Sequence, residues 1–322
     1  MLSEEEAGVL RMVLTRISLV VPLVVVVSTA AYFLGALSPV DPAESVLGPD
    51  PTQAQIDAVH AQMGLDRPIT TQFLEWASGV LRGDLGSSLF SHEPVTTMLA
   101  RALPVTLSLT MGGLVISLLL GIPAGIWSAL RAGRLGDRVT TGAVTFWQAV
   151  PNFWLALLLI LFFAVHLGWF PAVGYTPMSE GLGEWLRSIA LPSLALGMSA
   201  GAVVARQTRS ALIGVLQQEY VRTAMAQGLS RRRIVLKYGL KNAGVPVVTV
   251  VAFEVAGLFG GSIVVERMFS MRGFGTLAID AVLRRDPDVI QGVIVVAAAV
   301  MLLVQLVLDL SYAWLNPKVR LS

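Results

Sequence analysis

The sequence predicts an all-α, polytopic membrane protein with about six transmembrane helices, and three observations support that fold class. Of the 322 residues, 55% are hydrophobic and only 14% are charged, whereas a soluble domain has about 25% charged residues. Long apolar runs recur along the chain. Basic residues are concentrated in alternate connections between those runs, which is the pattern of a multi-span protein with a fixed orientation.

The apolar runs define the expected spans, because a helix needs roughly 20 apolar residues to cross about 30 Å of hydrocarbon. Six runs approach that length: Ile17–Leu37, Leu103–Leu130, Val139–Leu167, Ile189–Ala205, Ala243–Val265 and Val289–Leu315. The fourth is the weakest candidate, since it contains one proline and two glycines. We expect the first to be a retained span and not a cleaved signal peptide, because acidic residues precede it. Four prolines are expected to bend or end helices: Pro123, Pro151, Pro192 and Pro246.

The distribution of Lys and Arg predicts the orientation. With the N-terminus inside, basic residues predominate in the inner connections, above all in Glu219–Asn242, and are fewer in the longer outer ones. The positive-inside rule therefore places both termini and the Glu219–Asn242 loop in the cytoplasm. The acidic segment Ser38–Arg101 then lies outside the membrane.

The outer segment Ser38–Arg101 has the pattern of a small helical insert. Asp50 and Pro51 are typical of an N-cap and a first helical residue. Gly64 is suited to end that helix. A second amphipathic helix is predicted near Thr71–Leu81.

The loop Glu219–Asn242 is the most informative polar segment, with six basic residues and one acid. Its pattern predicts two helices joined by a turn, because Gly228 suits a left-handed position and Ser230 can cap the second helix. The small residues Ala224 and Ala226 are expected to let a partner surface approach closely. Taken as a charge run alone, the loop would be a solvated basic connection.

The order of residues in this loop carries a family resemblance. Tyr220–Leu229 reads YVRTAMAQGL, and Leu240–Pro246 reads LKNAGVP. These strings resemble the cytoplasmic signature loop of ABC-transporter permeases, in the dipeptide, oligopeptide and nickel importer branch. Further strings in the same order resemble that branch: GLDRPITTQF at Gly64–Phe73, GDLGSSL at Gly83–Leu89, VPNFW at Val150–Trp154, GGSIVVERMF at Gly260–Phe269 and DLSYAWLNPKVR at Asp309–Arg320. A glutamate of the broader permease pattern is absent, and Arg222 stands at that position.

The resemblance implies a type I ABC importer permease core, preceded by an N-terminal helix and an extracytoplasmic insert. Residues 1–102 would form the N-terminal helix and insert, and residues 103–322 a five-helix core with the coupling loop at 211–242. By the resemblance, these residues dock on an ATPase subunit: Tyr220, Val221, Arg222, Thr223, Ala224, Ala226, Gly228 and Leu229.

The resemblance also implies the partners and the location. They are a second homologous permease, two ATPase subunits that bind ATP and Mg²⁺, an extracytoplasmic solute-binding protein and the bacterial inner membrane, with no nucleic acid. Short peptides are the leading solute, and nickel or another small solute is the alternative.

The residue types exclude several kinds of chemistry in this chain. The lysines Lys237, Lys241 and Lys318 do not follow a glycine, so no P-loop for ATP is present. There is no cysteine, and the three histidines lie far apart, so neither a thiol nucleophile nor a histidine metal site is expected. The chain is thus predicted to be non-catalytic. An ion-coupled secondary transporter would need repeats and several membrane carboxylates, and a membrane anchor without a solute path is the third class.

Candidate pathway residues are few. Glu254 is the one acid well inside a predicted span, and it either lines the solute path or forms a structural pair. Asn152 is a weaker candidate, and Glu266 lies at a span end, where a solvated or structural role is expected. The pairs Gly121-x-x-x-Gly125 and Gly257-x-x-x-Gly261 permit close helix contact, either within this subunit or with a second permease.

Overall fold

A computed structural model describes Ser18, residues 22–35, Leu47 and residues 51–315 of the chain. These residues are predominantly helical, and the one strand-like pairing found within those ranges is an antiparallel bridge between Ser87 and Pro94. The helices, numbered here in chain order, are α1 (Pro22–Gly35), α2 (Gln53–Met63), α3 (Ile69–Leu81), α4 (Val95–Leu130), α5 (Leu135–Ala149), α6 (Asn152–Leu159), α7 (Leu182–Leu216), α8 (Glu219–Ala226), α9 (Leu240–Met268), α10 (Phe274–Arg284) and α11 (Pro287–Leu315). Two π-helical segments extend this set: Ile160–His166 continues α6, and Ile234–Gly239 leads from the short helix Arg231–Arg233 into α9.

Within the described part of the chain, four helices are long and apolar enough to cross a membrane: α4, α7, Ile234–Met268 and Pro287–Val307. A fifth candidate is the pair α5 and α6, which meet at 94°. The run predicted at Val139–Leu167 thus corresponds to this bent pair, and whether the pair crosses the membrane as one span stays a prediction. The first predicted span is described only in part, since α1 covers Pro22–Gly35 and its flanks lie outside the described residues.

The break between α5 and α6 occurs at Pro151. Its ring has no N–H to donate, and it restricts the preceding Val150, which has extended backbone angles at the end of α5. The expectation of a break holds there. At Pro123, Pro192 and Pro246 the helices continue through the proline, which membrane helices tolerate when neighbouring groups satisfy the freed carbonyls.

The described residues form two compact units. The larger comprises residues 105–271 and 303–315, and the smaller comprises the described residues up to 104 together with 272–302. Each unit combines segments that are distant in sequence. Helices α4 and α11 each contribute residues to both units.

In the larger unit, α4 and α7 lie in backbone contact through small residues. A Cβ added to Gly121 would stand 2.6 Å from the carbonyl oxygen of Gly201, and one at Gly125 would stand 2.5 Å from that of Ala205. A Cβ added to Gly197 would stand 2.7 Å from the carbonyl oxygen of Gly113. Gly197 and Gly201, which helped to make α7 the weakest predicted span, thus lie in its contact surface, and α7 is a continuous helix from Leu182 to Leu216.

Side chains from α6, α7 and α9 complete the core of the larger unit. Leu109 of α4, Leu196 of α7 and Val265 of α9 are fully or almost fully buried in one apolar cluster. Phe269, just after α9, belongs to the same cluster, and its carbonyl accepts a hydrogen bond from the Gly174 N–H at 2.8 Å. The α6–α7 connection is held against the end of α9 by this bond.

In the smaller unit, the predicted helical insert is present as α2 and α3. The predicted N-cap Asp50 lies outside the described residues, and Pro51 is not the first helical residue as predicted. Helix α2 begins at Gln53 with Thr52 as its N-cap, and the Thr52 N–H donates to Gln55 Oε1 at 2.9 Å in a capping box. The prediction of Gly64 as the helix end is confirmed by its φ of 68°. Arg67, after α2, pairs with Glu75 of α3 at 2.7 Å.

The loop after α3 is fastened to the start of α11 within the smaller unit. Ser88 Oγ donates to Asp286 Oδ2 at 2.6 Å, and the Ser87 N–H donates to Asp288 Oδ2 at 3.2 Å. Gly86 has a φ of 80° and lies so close to the Asp288 carboxylate that an added Cβ would overlap it. The insert is therefore tied to a distant part of the sequence through one hydroxyl and one main-chain donor.

Candidate functional site

Helix α8 is a short helix, and residues near its two ends determine where it begins and ends. Glu219 lies in the first turn, where a negative charge meets the positive end of the helix dipole. At the other end Gly228 has a φ of 79°, and the Leu229 N–H donates to the Ala224 carbonyl at 3.2 Å. The predicted left-handed turn at Gly228 is confirmed, and with the Gly228 N–H on the Met225 carbonyl it has the bonding of a Schellman motif.

The second predicted helix of the loop begins where the sequence indicated. Arg231–Arg233 form a short helix that leads into the π-helical segment. The Ser230 hydroxyl accepts from the Arg233 N–H at a long 3.4 Å, and the Ser230 carbonyl accepts from the Ile234 N–H at 3.0 Å. Ser230 thus caps this segment mainly through its main chain.

One face of α8 packs on an apolar surface of the same chain, which we call the floor of α8. Val221 is 0% exposed and Ala224 is 7% exposed, and both pack on the buried Ile234. Leu216 and Leu229 close the sides of this cluster. The prediction that Ala224 lies open to a partner is wrong, because its small side chain lets α8 approach Ile234 instead.

The opposite face of α8 is open. Tyr220 is 44% exposed and Met225 is 48% exposed, and the intervening Arg222, Thr223 and Ala226 are exposed as well. The Tyr220 hydroxyl accepts a 3.2 Å hydrogen bond from Asn242 Nδ2. Of the predicted docking residues, Tyr220, Arg222, Thr223, Ala226 and Gly228 are exposed, and Met225, which was not predicted, is exposed beside them.

The floor under α8 is continuous with the membrane helices. Leu212 of α7, Val235 of the π-helical segment and Ala243 of α9 form a second buried cluster with Ala129 of α4. Gly239 permits this contact, since a Cβ there would stand 2.8 Å from Leu212 Cδ1. A force on α8 therefore acts on three long helices through close packing.

An ion pair with a buried carboxylate joins the end of α4, the start of α5 and the later part of α7. The Asp137 carboxylate accepts from Arg209 Nε at 2.7 Å and from Arg209 Nη2 at 2.8 Å, which is a bidentate pair. Ser128 Oγ donates to Asp137 Oδ1 at 2.5 Å, and the Gly133 N–H donates to Oδ2 at 2.9 Å. The carboxylate thus holds three helices and their connecting turn together.

Sequence reasoning missed Asp137, although a signal was present. It is the one acid in the short connection around Arg131, Arg134 and Arg138. A single acid among several arginines is typical of a structural partner for one of them. Which arginine it would pair with could not be read from the sequence, because Arg209 lies 72 residues away.

The candidate pathway residues lie apart from this site. Glu254 is half-buried on α9, and no hydrogen bond or ion pair of its side chain is found among the described residues. Asn152 is the first residue of α6, directly after the break at Pro151, and is also half-buried. The assignment of both to a solute path stays a prediction.

Glu266, by contrast, is completely buried near the end of α9. Thr106 Oγ1 donates to its Oε1 at 2.5 Å and Ser262 Oγ donates to the same atom at 2.9 Å. Its environment agrees with the structural role, and not with the solvated one. Within the described residues no group of three or more His, Cys, Asp or Glu side chains is arranged to hold a metal ion.

The two glycine pairs differ in environment. Gly121 and Gly125 are packed against α7 of the same chain, so this pair serves contact within the subunit. An added Cβ at Gly257 or Gly261 would meet nothing within 4 Å. The side of α9 that carries these two glycines is therefore open among the described residues, while the buried Leu258 lies in the core cluster.

Comparison with protein families covers nearly the whole sequence. The family described as "binding-protein-dependent transport system inner membrane component" matches residues 121–321, and its N-terminal companion family matches residues 9–110. The chain belongs to this family of inner-membrane transport components. The permease is therefore a non-catalytic membrane subunit of a transport system that depends on a binding protein, as the sequence predicted.

Individual relatives agree with this assignment over their full length. The permease is 39% identical over 311 residues to the glutathione transport system permease protein GsiC of Escherichia coli strain K12, covering 97% of this chain and 99% of that protein. It is 34% identical over 308 residues to the probable peptide ABC transporter permease protein y4tP of Sinorhizobium fredii, covering 96% and 98%.

A solved structure supports the fold. A chain of the MetNI methionine ABC transporter, crystallised in inward-facing conformations, matches 68% of this permease and 96% of its own length with a TM-score of 0.56 at 19% identity. The type I importer fold predicted from the sequence is thereby confirmed.

Proposed function

We propose that this permease forms half of the membrane path of an ATP-driven importer of short peptides. The observation that carries the proposal is the full-length similarity to permeases whose names denote peptide and glutathione transport. Glutathione is itself a tripeptide, so both names describe small solutes with peptide bonds. The family description and a relative named as a peptide ABC transporter permease favour this function over an ion-coupled transporter.

The open face of α8 supports docking on an ATPase subunit. Its exposed side chains combine a ring, a thioether and a guanidinium at Tyr220, Met225 and Arg222. Aromatic, Met and Arg side chains are enriched at protein interfaces. The buried floor and the cluster around Leu212 and Ala243 would transmit ATPase movement to α7 and α9. ATP and Mg²⁺ would be bound by the two ATPase subunits.

An open stripe on α9 supports pairing with a second, homologous permease. Phe253 is 73% exposed and Val264 is 47% exposed, and Gly257 and Gly260 lie between them on the same side at helical spacing. Small residues between large apolar ones are typical of close helix contacts in membranes. Glu254 is adjacent to this stripe in sequence. It would therefore lie near the junction of the two permeases, where the proposed solute path also lies.

The orientation is part of the proposal. The exposed basic residues of the α8 loop and of the α4–α5 connection support a cytoplasmic position for both, because the positive-inside rule favours Lys and Arg on that side. Both termini would then be cytoplasmic, and α2 and α3 would face the binding protein outside. We retain residues 1–102 as the N-terminal helix and insert and residues 103–322 as the core.

Reconstitution of the whole transporter tests the solute and the coupling. The permease, a second permease and the ATPases are placed in lipid vesicles with the binding protein, and short peptides should stimulate both ATP hydrolysis and uptake. Vesicles that lack the ATPases should take up nothing. Uptake without ATPases would contradict the proposal. So would ATP hydrolysis that is stimulated by non-peptide solutes and not by peptides.

Site-specific cross-linking tests the docking face, and the chain has no native cysteine to interfere. A cysteine at Met225 should cross-link to the ATPase with a short bifunctional reagent. The matched control is a cysteine at Ala224, the next residue on the same helix, which is buried and should not react. Equal cross-linking at both positions would mean that α8 does not dock through its open face.

A further inference from the structure

An apolar groove of about 460 Å³ lies between α4 and α7 in the larger unit. Its walls are formed by Met111 and Val115 of α4 and by Leu186 and Ala190 of α7, and Phe170 and Trp185 lie at one end. The volume is within the range of about 300–1,000 Å³ that is typical of small-ligand sites.

The groove exists because the two helices diverge at one end. Gly113 and Gly121 bring α4 against the backbone of α7, and a Cβ at Gly112 would overlap Ser193. Towards the start of α7 no glycine continues this contact, and the larger residues Met111 and Leu186 keep the helices apart.

The wall of the groove is held in place by a polar network. Trp185 Nε1 donates to Ser108 Oγ at 3.2 Å, and Ser108 Oγ lies 3.1 Å from the Tyr175 hydroxyl. The indole N–H is satisfied inside the protein, so the ring presents an apolar surface to the groove. At the base, the buried Ser193 Oγ has no hydrogen-bond partner among the described residues.

A single cation lines this groove at its mouth. Arg187 is about half exposed, donates from Nη2 to the Trp169 carbonyl at 2.9 Å, and has Nη1 3.8 Å from Glu184. One hydrogen bond and one loose pair leave donors of the guanidinium free. Trp169 and Trp185 at the same level are typical of the membrane–water interface. The groove therefore combines an apolar slot with one cation that has donors to spare.

We propose that this groove binds one phospholipid, with an acyl chain between α4 and α7 and its phosphate at Arg187. The occupant is a lipid because the walls of the groove lie on α4 and α7, which are long and apolar enough to span a membrane. Apart from Arg187, these walls lack charge. The occupant carries a phosphate because the charged residue at the mouth is an arginine, whose fork matches phosphate oxygens. The inference does not depend on the solute of the transporter.

A photoactivatable phospholipid tests the site in the complete transporter in lipid nanodiscs. Phosphatidylglycerol with a diazirine in its acyl chain should label Met111, Val115 and Leu186, as mapped by mass spectrometry. A substitution that fills the groove, Ala190→Trp, should abolish this labelling. The control Val165→Trp adds the same ring to an exposed apolar position of the helix that follows α6 and should leave it unchanged.

Arg187→Gln tests the headgroup contact without altering the core. It should lower labelling of the groove by roughly fivefold, the factor for one basic residue near an anionic headgroup. Arg82→Gln, at an exposed position outside the groove, should have no effect. A neutral diacylglycerol with the same diazirine chain should label weakly and should not respond to Arg187→Gln.

Three results would overturn the proposal. The first is labelling of the groove no stronger than labelling of the exposed Leu161. The second is equal labelling by diacylglycerol and phosphatidylglycerol. The third is a cross-link from a cysteine at Leu186 to another protein segment, which would mean that protein covers the groove.

Discussion

The turn after α8 offers the sharpest test of coupling, because a single methyl group perturbs it through backbone conformation alone. Gly228 has a φ of 79°, and an added Cβ would meet nothing within 4 Å. Gly228→Ala therefore introduces no clash. It introduces only the cost of a left-handed L-residue, about 1–2 kcal/mol.

That cost sets the size of the expected effect. Since 1.4 kcal/mol is a factor of ten, about 1–2 kcal/mol reduces the population of the native turn relative to its alternatives by roughly 5- to 30-fold. The alternatives break the bond from Leu229 N–H to the Ala224 carbonyl, which fixes the end of α8. We expect peptide-stimulated ATP hydrolysis and uptake to fall together, while the amount of permease in the membrane stays unchanged.

Two control variants isolate the cause. Gly214→Ala changes another exposed glycine just before α8, also with nothing within 4 Å but with helical backbone, and should be silent or slightly stabilising. Gly228→Asn should retain much of the activity, because asparagine tolerates the left-handed region better than other residues with a side chain. Equal activity of Gly228→Ala and wild type, with full cross-linking from Met225, would refute the reasoning that the turn positions α8.

The remaining predictions concern packing, charge and the path. Asp137→Asn should lower stability by about 2–3 kcal/mol, seen as a lower melting temperature of the purified complex, because it breaks a bidentate pair; Glu75→Gln, which breaks an exposed pair, should cost about 1 kcal/mol or less. Gly121→Ala should cost about 1–3 kcal/mol through overpacking against Gly201, and Gly142→Ala, with open space around it, should not be destabilising. Glu254→Gln should lower the uptake of cationic peptides with unchanged assembly, and unchanged uptake kinetics would return Glu254 to a structural role.

Features that depend on local sequence could be predicted. The positions of the long helices follow from apolar runs, and the turn at Gly228 follows from the one residue without a Cβ near the end of a short helix. The start of α2 shows the limit of this approach. Asp50 and Thr52 are both good N-cap residues, and the choice of Thr52 depends on its reciprocal contact with Gln55.

Features that depend on tertiary contact could not be predicted in the same way. Pro151 breaks a helix whereas Pro192 does not, although both prolines lie within apolar runs and the sequence marks them in the same way. Ala224 was assigned to a partner because a small residue permits close approach, but the surface that approaches is Ile234 of the same chain. The spacing of Val221 and Ala224, three residues apart on one helix face, was a signal that this face is buried.

The two buried clusters and the ion pair together suggest how one short helix could act on a whole bundle. Through Val221 and Ala224, α8 rests on Ile234, which starts the π-helical lead into α9, and that lead packs on Leu212 of α7. The pair Asp137–Arg209 then joins α7 to α5 and to the end of α4. Because close-packed interfaces shift between discrete arrangements and do not deform smoothly, a displacement of α8 should move these helix ends as one body. The open stripe of α9, with Glu254 beside it, lies further along the same helix, so a tilt of that body would change the spacing at the proposed junction of the two permeases.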